Sequence, residues 1–222
     1  MPELSWVILT IGHLSMNSFW GETERQRGPL CTSTLIRTPA GLMIVDPSLQ
    51  PDQMPALLND QAGVGVEDVR HVFLTHFHGD HRFGLEAFPT AKWWMAEKET
   101  AFWKDRVNGH EADLLVKLRP AEDLSIRGLS TLFTPGHTPG LTSLAFDWRG
   151  QQVVVAADAA MTEEFFWARE GFHNSSDFEE ARESIDRLAE SADVVIPGHG
   201  NAFWTALPPG PGGMWAGGRA GL

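Results

Sequence analysis

Four side chains that commonly bind metal ions lie close together, directly after an apolar run at residues 70–74. They are His76, His78, Asp80 and His81. In an extended strand alternate side chains point the same way, so His76 and His78 should converge on one point. The chain then turns at Gly79, which directs Asp80 and His81 to a second, neighbouring point. Because zinc and iron accept imidazole and carboxylate ligands readily, this segment predicts a metal centre rather than a run of surface histidines.

Three further polar residues follow predicted strands elsewhere in the chain. They are His137, Asp158 and His199, which come after the predicted strand at residues 129–134 and the apolar runs at residues 153–157 and 194–196. Loops at strand ends often gather into a functional site, because the strands hold them in place. We therefore expect these three side chains to join the first four in one cluster.

The rest of the sequence alternates between strand-rich segments and strand–helix units. Strands are predicted at residues 6–11, 32–37, 42–45, 70–74, 92–95, 129–134, 142–147, 152–156 and 193–196. Helices are predicted at residues 53–61, 82–88 and 97–107, and after a capping box formed by Ser176 and Glu179. Residues 162–174 have no regular pattern. This order of elements predicts an α/β layer sandwich.

Composition restricts the classes of protein to which the chain can belong. Its 222 residues and 42% hydrophobic content fit one packed domain, which we place at residues 1–207, and exclude a disordered chain. Residues 208–222 are mostly Gly and Pro, which predicts a C-terminal tail that buries no core. No apolar stretch approaches the roughly 20 residues that a membrane helix needs. One cysteine and the lack of a signal-like N-terminus predict a cytoplasmic protein.

Taken together, the motifs resemble those of the metallo-β-lactamase superfamily. The matching segments stand in the family's order and are residues 75–81, 135–137, 157–158 and 197–199, with Asp46 as a further mark. The resemblance implies a four-layer αββα sandwich, in which two mixed sheets carry helices on their outer faces. It also implies a two-metal site in the groove between the sheets. Ala157 departs from the family, which frequently has glycine before this aspartate.

The resemblance further implies a role for each site residue. One metal ion would be bound by His76, His78 and His137, the second by Asp80, His81 and His199, and both by a bridging Asp158. Zinc is the expected metal, with iron and manganese left open. A hydroxide between the ions would be the nucleophile, because zinc lowers the pKa of bound water to about 7. Asp80 would also be catalytic, by passing a proton to the leaving group, and Asp46 would hold the histidine loop from behind.

More than one activity is compatible with such a site. Hydrolysis of a small ester, thioester, lactone or amide is the reaction we favour. The alternatives are a phosphodiesterase or endoribonuclease on the same two metals, and a mononuclear iron persulfide dioxygenase. The formal net charge of −12 opposes nucleic-acid binding, and the lack of tyrosine departs from the active-site tyrosine of quorum-quenching lactonases. The expected partner is a small-molecule substrate, neither nucleic acid nor membrane, and a homodimer is left open.

Some histidines and aromatic residues outside the motifs are candidates for substrate contact. They are His110, His173, Trp93, Trp94 and the aromatic segment at residues 165–167. Aromatic clusters belong more often to the core than to a binding site, so we expect most of these aromatic residues to be buried.

Overall fold

Two β-sheets form the centre of the computed structural model, which describes residues 4–206. The first sheet consists of β1 (Ser5–Thr10), β2 (Ser33–Thr38), β3 (Gly41–Val45), β4 (Val69–Phe73), β5 (Lys92–Met95) and β6 (Arg119–Pro120). The second consists of β7 (Leu129–Phe133), β8 (Thr142–Trp148), β9 (Gln151–Ala157), β10 (Val194–Pro197) and β11 (Phe203–Trp204). The expected tail at residues 208–222 lies outside the described residues, so the domain boundary at residue 207 stays a prediction.

Both sheets are mixed. The first has the order β1-β2-β3-β4-β5-β6, antiparallel from β1 to β3 and parallel from β3 to β6. The second has the order β11-β10-β9-β8-β7, in which β9 and β10 are parallel and the other pairs are antiparallel. Parallel neighbours such as β9 and β10 end at the same edge of their sheet, so the residues that follow them lie side by side.

The inner core lies between the facing sides of the two sheets. Met43 and Phe73 of the first sheet pack with Phe146, Val155 and Ile196 of the second. Successive side chains of a strand point to opposite faces, so the intervening residues are left to pack on the outer side of each sheet. Because these strands are apolar on both faces, each sheet needs a second covering layer.

Helices supply that outer layer. They are α1 (Met54–Ala62), α2 (Gly79–Arg82), α3 (Glu97–Trp103), α4 (Gly109–Leu115), α5 (Glu163–Ala168) and α6 (Phe178–Ser191). Leu58 of α1 belongs to one outer core with Ile44, and Leu188 of α6 belongs to the other with Val154. The four-layer αββα sandwich expected from the sequence is therefore confirmed.

No helix within residues 4–206 combines the length and apolar character needed to cross a membrane. The longest of them, α6, has 14 residues and is polar on its outer side. The cytoplasmic location and the oligomeric state stay predictions.

Helix α6 begins one residue later than the capping-box prediction placed it. Asp177, rather than Ser176, is the N-cap, and its carboxylate accepts hydrogen bonds from the backbone N–H groups of Glu179 and Glu180 at 2.9 and 3.0 Å. A carboxylate is a stronger acceptor than a hydroxyl and also interacts favourably with the helix dipole. Ser176 instead donates through its hydroxyl to the backbone carbonyl of His137 at 3.1 Å. The start of α6 is thereby attached to one of the predicted metal-binding loops.

Four other segments differ from the sequence prediction. The helix predicted at residues 82–88 is divided into α2 and a 3-10 turn at Leu85–Ala87, and the one at 97–107 ends at Trp103. Helix α4 begins at Gly109, where the sequence predicted a stop. Helix α5 forms within the segment that appeared irregular, because Phe165 and Phe166 are buried on its inner side. In α5, tertiary packing outweighs the weak helix propensity of aromatic residues.

Candidate active site

Loops at one edge of the two sheets carry all the predicted metal ligands. The segment from His76 to His81 follows β4, and His137 lies in the loop between β7 and β8. Asp158 directly follows β9, and His199 lies two residues beyond its parallel neighbour β10. The parallel pairing thus brings together two residues that are far apart in the chain.

Three imidazoles and one carboxylate form the first cluster, His76, His78, His137 and Asp158. Their candidate ligand atoms all lie within 4.8 Å of one another. Nδ1 of His78 lies 3.0 Å from Nε2 of His76 and 2.9 Å from Nε2 of His137. Oδ2 of Asp158 lies 3.1 Å from Nε2 of His137 and 3.6 Å from Nε2 of His76. Three nitrogens and one oxygen therefore face a single point.

The second cluster consists of Asp80, His81 and His199, whose candidate ligand atoms also lie within 4.8 Å of one another. Nε2 of His199 lies 3.7 Å from Oδ2 of Asp80. The remaining oxygen of Asp158, Oδ1, lies 3.2 Å from Nε2 of His81 and 3.3 Å from Nε2 of His199. Asp158 therefore offers one oxygen to each cluster, which is the arrangement that a bridging ligand requires.

Both donor sets fit divalent metal ions. The separations of 2.9–3.6 Å in the first cluster agree with the edge of about 3.3 Å of a tetrahedron with bonds of about 2.0 Å. Nε2 of His81 and Oδ1 of Asp158 are buried and form no hydrogen bond with any residue of the described chain. A buried polar atom without a partner costs about 1–3 kcal/mol, and a bound cation would remove that cost.

Hydrogen bonds behind two imidazoles determine which nitrogen faces the second cluster. Nδ1 of His81 lies 2.9 Å from Oδ2 of Asp46, and Nδ1 of His199 lies 2.9 Å from the backbone carbonyl oxygen of Leu30. Each Nδ1–H donates to its oxygen, so Nε2 is the nitrogen that is directed at the cluster. Histidines that bind metals are oriented in this way in most proteins.

Asp46 supports both clusters from behind. It is fully buried, and its two oxygens accept hydrogen bonds from the backbone N–H of Thr75 at 2.9 Å and from the Thr75 hydroxyl at 2.7 Å. The Thr75 oxygen lies 3.1 Å from Nδ1 of His76, so it can accept a hydrogen bond from that nitrogen while its hydroxyl donates one to Asp46. Together with the bond from His81, these contacts hold both ends of the histidine loop.

Replacing Asp46 by asparagine is expected to weaken metal binding about 10- to 100-fold, the usual effect of losing a partner behind a metal ligand. The amide NH2 group of asparagine would face an N–H or O–H group that now donates a hydrogen bond to the carboxylate, and two donors cannot bond to each other. Competition with a chromophoric chelator measures the change. Asp52→Asn, on the exposed surface, is the matched control, and unchanged affinity in Asp46→Asn would show that Asp46 merely closes a turn.

Burial sets the protonation states of the first cluster. Burial lowers the pKa of His76 well below its ordinary value and that of His137 to about 3, so both imidazoles are neutral at pH 7. For Asp158 burial acts to raise the pKa, but the imidazoles of His81 and His199 outweigh it and hold the pKa well below the ordinary range. Neutral imidazoles and an ionised carboxylate are the forms that bind metals.

Two features of the backbone next to Asp158 are unusual. A Cβ atom at Gly198 would lie 1.9 Å from Oδ1 of Asp158, so that position requires glycine. Ala157 has a φ of +46°, a region that non-glycine residues rarely adopt. Strained backbone of this kind tends to occur at functional sites. At Ala157 it lies directly before the residue that both clusters share, and at the position where the family frequently has glycine.

A cavity of about 200 Å³ opens over both clusters. Its walls include His78, Asp80, His137, Asp158 and His199, the apolar side chains of Leu14, Met161 and Phe172, and the polar side chains of Arg25, His173 and Asn174. The Asp80 side chain is 13% exposed, whereas His81 is fully buried. Asp80 is therefore a cluster carboxylate that a bound molecule can reach.

Of the predicted substrate-contact candidates, His173 lines this cavity. His110 is exposed on α4 and pairs with Glu86 at 2.8 Å, away from the cavity walls. The aromatic candidates Trp93, Trp94, Phe165 and Phe166 are buried in the core. The sequence analysis missed Arg25 and the fully buried Glu99. Arg25 stands in an irregular loop and Glu99 in an ordinary acidic first helical turn, so neither belongs to a motif.

Comparison with known proteins agrees with this geometry. The chain matches the metallo-β-lactamase superfamily over residues 27–199. It is 30% identical over 181 residues to metallo-β-lactamase domain-containing protein 1 of Xenopus laevis, covering 77% of this chain and 70% of that protein. It is 28% identical over 162 residues to an N-acyl homoserine lactonase of Bacillus cereus, covering 68% of this chain and 63% of the lactonase. The chain thus spans less than two thirds of the lactonase's length.

Solved structures share the fold. AidC, described as a dizinc quorum-quenching lactonase, aligns with a TM-score of 0.68 at 17% identity, over 86% of this chain and 80% of AidC. An N-acyl homoserine lactone hydrolase with product at its catalytic metal centre aligns with a TM-score of 0.63 at 23% identity, over 85% and 87% of the two chains. The family match, the sandwich and the clustered ligands agree with one another: the chain belongs to the metallo-β-lactamase superfamily, as one of its hydrolases.

Proposed function

We propose that the chain hydrolyses the acyl bond of a small lactone or ester, with thioesters and amides as related substrates, using two zinc ions. The observation that carries the proposal is the placement of Asp158, with one oxygen at 3.1 Å from His137 and the other at 3.2 Å from His81. It is supported by two Bacillus relatives named N-acyl homoserine lactonases and by the structural neighbour described as dizinc.

The two clusters divide the ligands between the ions. His76, His78 and His137 would hold one ion, Asp80, His81 and His199 the other, and Asp158 both. Bound zinc supplies a water whose pKa is lowered to about 7 and polarises the acyl oxygen. The chain's own contribution is to aim the imidazoles inward, through Asp46, Thr75 and the Leu30 carbonyl.

Asp80 moves the proton in this proposal. The water oxygen forms a bond to the acyl carbon, and the bond from that carbon to the leaving oxygen breaks. The proton released by the water passes to the Asp80 carboxylate and from there to the leaving oxygen, so the reaction is balanced without another reagent. Asp80 suits this task because its side chain lies in the cavity wall and is partly exposed.

A donor other than tyrosine must orient the substrate, because the chain contains no tyrosine. His173 and Asn174 are exposed side chains on the wall of the cavity. Both can donate a hydrogen bond to a carbonyl oxygen. We assign them the orientation of the bound substrate.

Arg25 makes the proposed site selective for substrates that carry an anionic group. It is an exposed cation in the cavity wall of a chain whose net charge is −12. Arg25→Ala is expected to raise KM about 10-fold for esters bearing a carboxylate, the value of one charge-assisted hydrogen bond, and to leave KM for neutral esters unchanged. Arg37→Ala, exposed on β2, is the control. An equal rise in KM for charged and neutral esters would show that Arg25 does not recognise the anionic group.

An activity panel on the zinc-loaded protein tests the proposed function. We expect turnover of acyl lactones and aryl esters that a chelator abolishes and added zinc restores. Faster turnover of a phosphodiester or of single-stranded RNA would instead identify a nuclease. Oxygen consumption with a persulfide substrate by the iron-loaded protein would identify a dioxygenase. Either of the last two results overturns the proposal.

A further inference from the structure

Glu99 of α3 is a buried carboxylate with four hydrogen-bond donors around it. Oε1 accepts hydrogen bonds from the backbone N–H of Phe77 at 3.2 Å and from the indole N–H of Trp103 at 2.6 Å. Oε2 accepts hydrogen bonds from the hydroxyl of Thr138 at 2.8 Å and from the backbone N–H of Gly140 at 3.1 Å. Its side chain is inaccessible to solvent, so these neutral donors replace the water that an exposed carboxylate would bind.

Two of the donors belong to the surroundings of His78. The Phe77 amide lies in the chain between His76 and His78, so its bond to Glu99 fixes the backbone from which both imidazoles project. The Trp103 ring packs against His78 with 5.4 Å between ring centroids and an interplanar angle of 81°. The bond from the Trp103 indole to Glu99 therefore also limits the rotation of the His78 ring.

The other two donors belong to the loop that carries His137. Thr138 follows His137 directly, and Gly140 lies two residues further on. A Cβ at Gly140 would lie 2.1 Å from the backbone nitrogen of Glu99, so this loop is in direct contact with the start of α3. One carboxylate thus binds the two loops that supply the three imidazoles of the first cluster.

Keeping a carboxylate in this position has an energetic cost. Burial raises the pKa of Glu99, and the bonds from Thr138, Trp103, Phe77 and Gly140 oppose that rise. An apolar residue of similar volume would fill the space but leave four buried donors without an acceptor. The carboxylate is well suited to this place, because it offers two acceptor oxygens to two separate loops.

We infer that Glu99 is a positioning residue that holds the loops of the first cluster at the separation needed to bind metal, without acting on the second cluster. The inference rests on the proposed function, since it takes the first cluster to be a metal site. His81 of the second cluster bonds directly to Asp46, a contact that does not involve Glu99. Loss of Glu99 should therefore weaken metal binding at the first cluster and leave the affinity of the second cluster unchanged.

Titration of the metal-free protein with Co²⁺, followed by visible absorption, tests this inference in Glu99→Gln. The amide oxygen can still accept from one loop, but the amide NH2 group would face donors of the other. We expect the wild type to bind two ions, and Glu99→Gln to bind one with unchanged affinity and the other about 10- to 100-fold more weakly. Glu97→Gln, exposed on the same helix, should match the wild type.

Thr138→Val tests the same inference if Glu99→Gln does not fold. It removes one of the four hydrogen bonds to Glu99 and keeps the shape of the side chain. It should weaken the same site by a smaller factor, with Thr138→Ser restoring the wild-type affinity. Equal weakening of both sites, or two unchanged sites in a folded Glu99→Gln protein, overturns the inference. If the wild type itself binds no Co²⁺, the proposed function fails, and this outcome is distinguishable from the other two.

Discussion

Replacing Asp158 by alanine is expected to lower the metal content from two ions per chain to near zero, and the rate of hydrolysis by at least about 10³-fold. The variant removes an oxygen from each cluster at once, since Oδ2 faces His137 and Oδ1 faces His81 and His199. It also removes the negative charge that offsets two divalent cations in a buried site. Elemental analysis gives the metal content, and kcat/KM on an aryl ester gives the rate.

The control for this variant is Asp147→Ala, which changes the same residue type at an exposed position near the end of β8. It should retain both ions and full activity. A folded Asp158→Ala protein that still holds two ions would contradict the bridging role. A loss of one ion with the other bound at native affinity would place Asp158 in a single cluster.

Asp80→Asn is expected to lower turnover about 10²- to 10⁴-fold, the usual loss when a general acid or base is removed. Asparagine keeps the shape and one oxygen ligand, so the metal content should stay close to that of the wild type. The effect should be largest for esters with poor leaving groups, because these need the proton most. The comparison of kcat for alkyl and activated aryl esters, at measured metal content, separates proton transfer from metal binding.

Asp80→Glu is a second variant for this test, because it keeps a carboxylate and displaces it by one methylene group. It should recover part of the turnover that Asp80→Asn loses. If Asp80→Asn retains both ions and near-native turnover with a poor leaving group, Asp80 is only a ligand. His173, on the same cavity wall, would then be the next residue to test.

The residues of the two clusters were predictable from sequence because each one depends on local pattern. His76 to His81 follow an apolar strand directly, and Asp158 and His199 follow strands that the apolar runs identify. The α/β layer sandwich followed from the order of these strands and helices, and the four-layer arrangement from the resemblance to the family. The location of a residue at a strand end can be predicted without identifying its partners, because the sheet brings the strand ends together.

Residues whose role depends on distant partners were not predictable. Glu99 accepts hydrogen bonds from donors 22 and 41 positions away, and nothing around it in the sequence marks it as buried. Helix α5 was missed for the same reason, since Phe165 and Phe166 become helical where the core receives them. The N-cap of α6 was displaced by one residue because Ser176 bonds to His137 instead.

Metal content of the native protein, purified without chelator, tests the central claim most directly. The account predicts that elemental mass spectrometry will find close to two transition-metal ions per chain, mostly zinc. Removing them should abolish ester and lactone hydrolysis, and adding back two equivalents of zinc should restore it. A protein that binds no transition metal at micromolar concentrations, and hydrolyses these substrates equally well without it, would contradict the account.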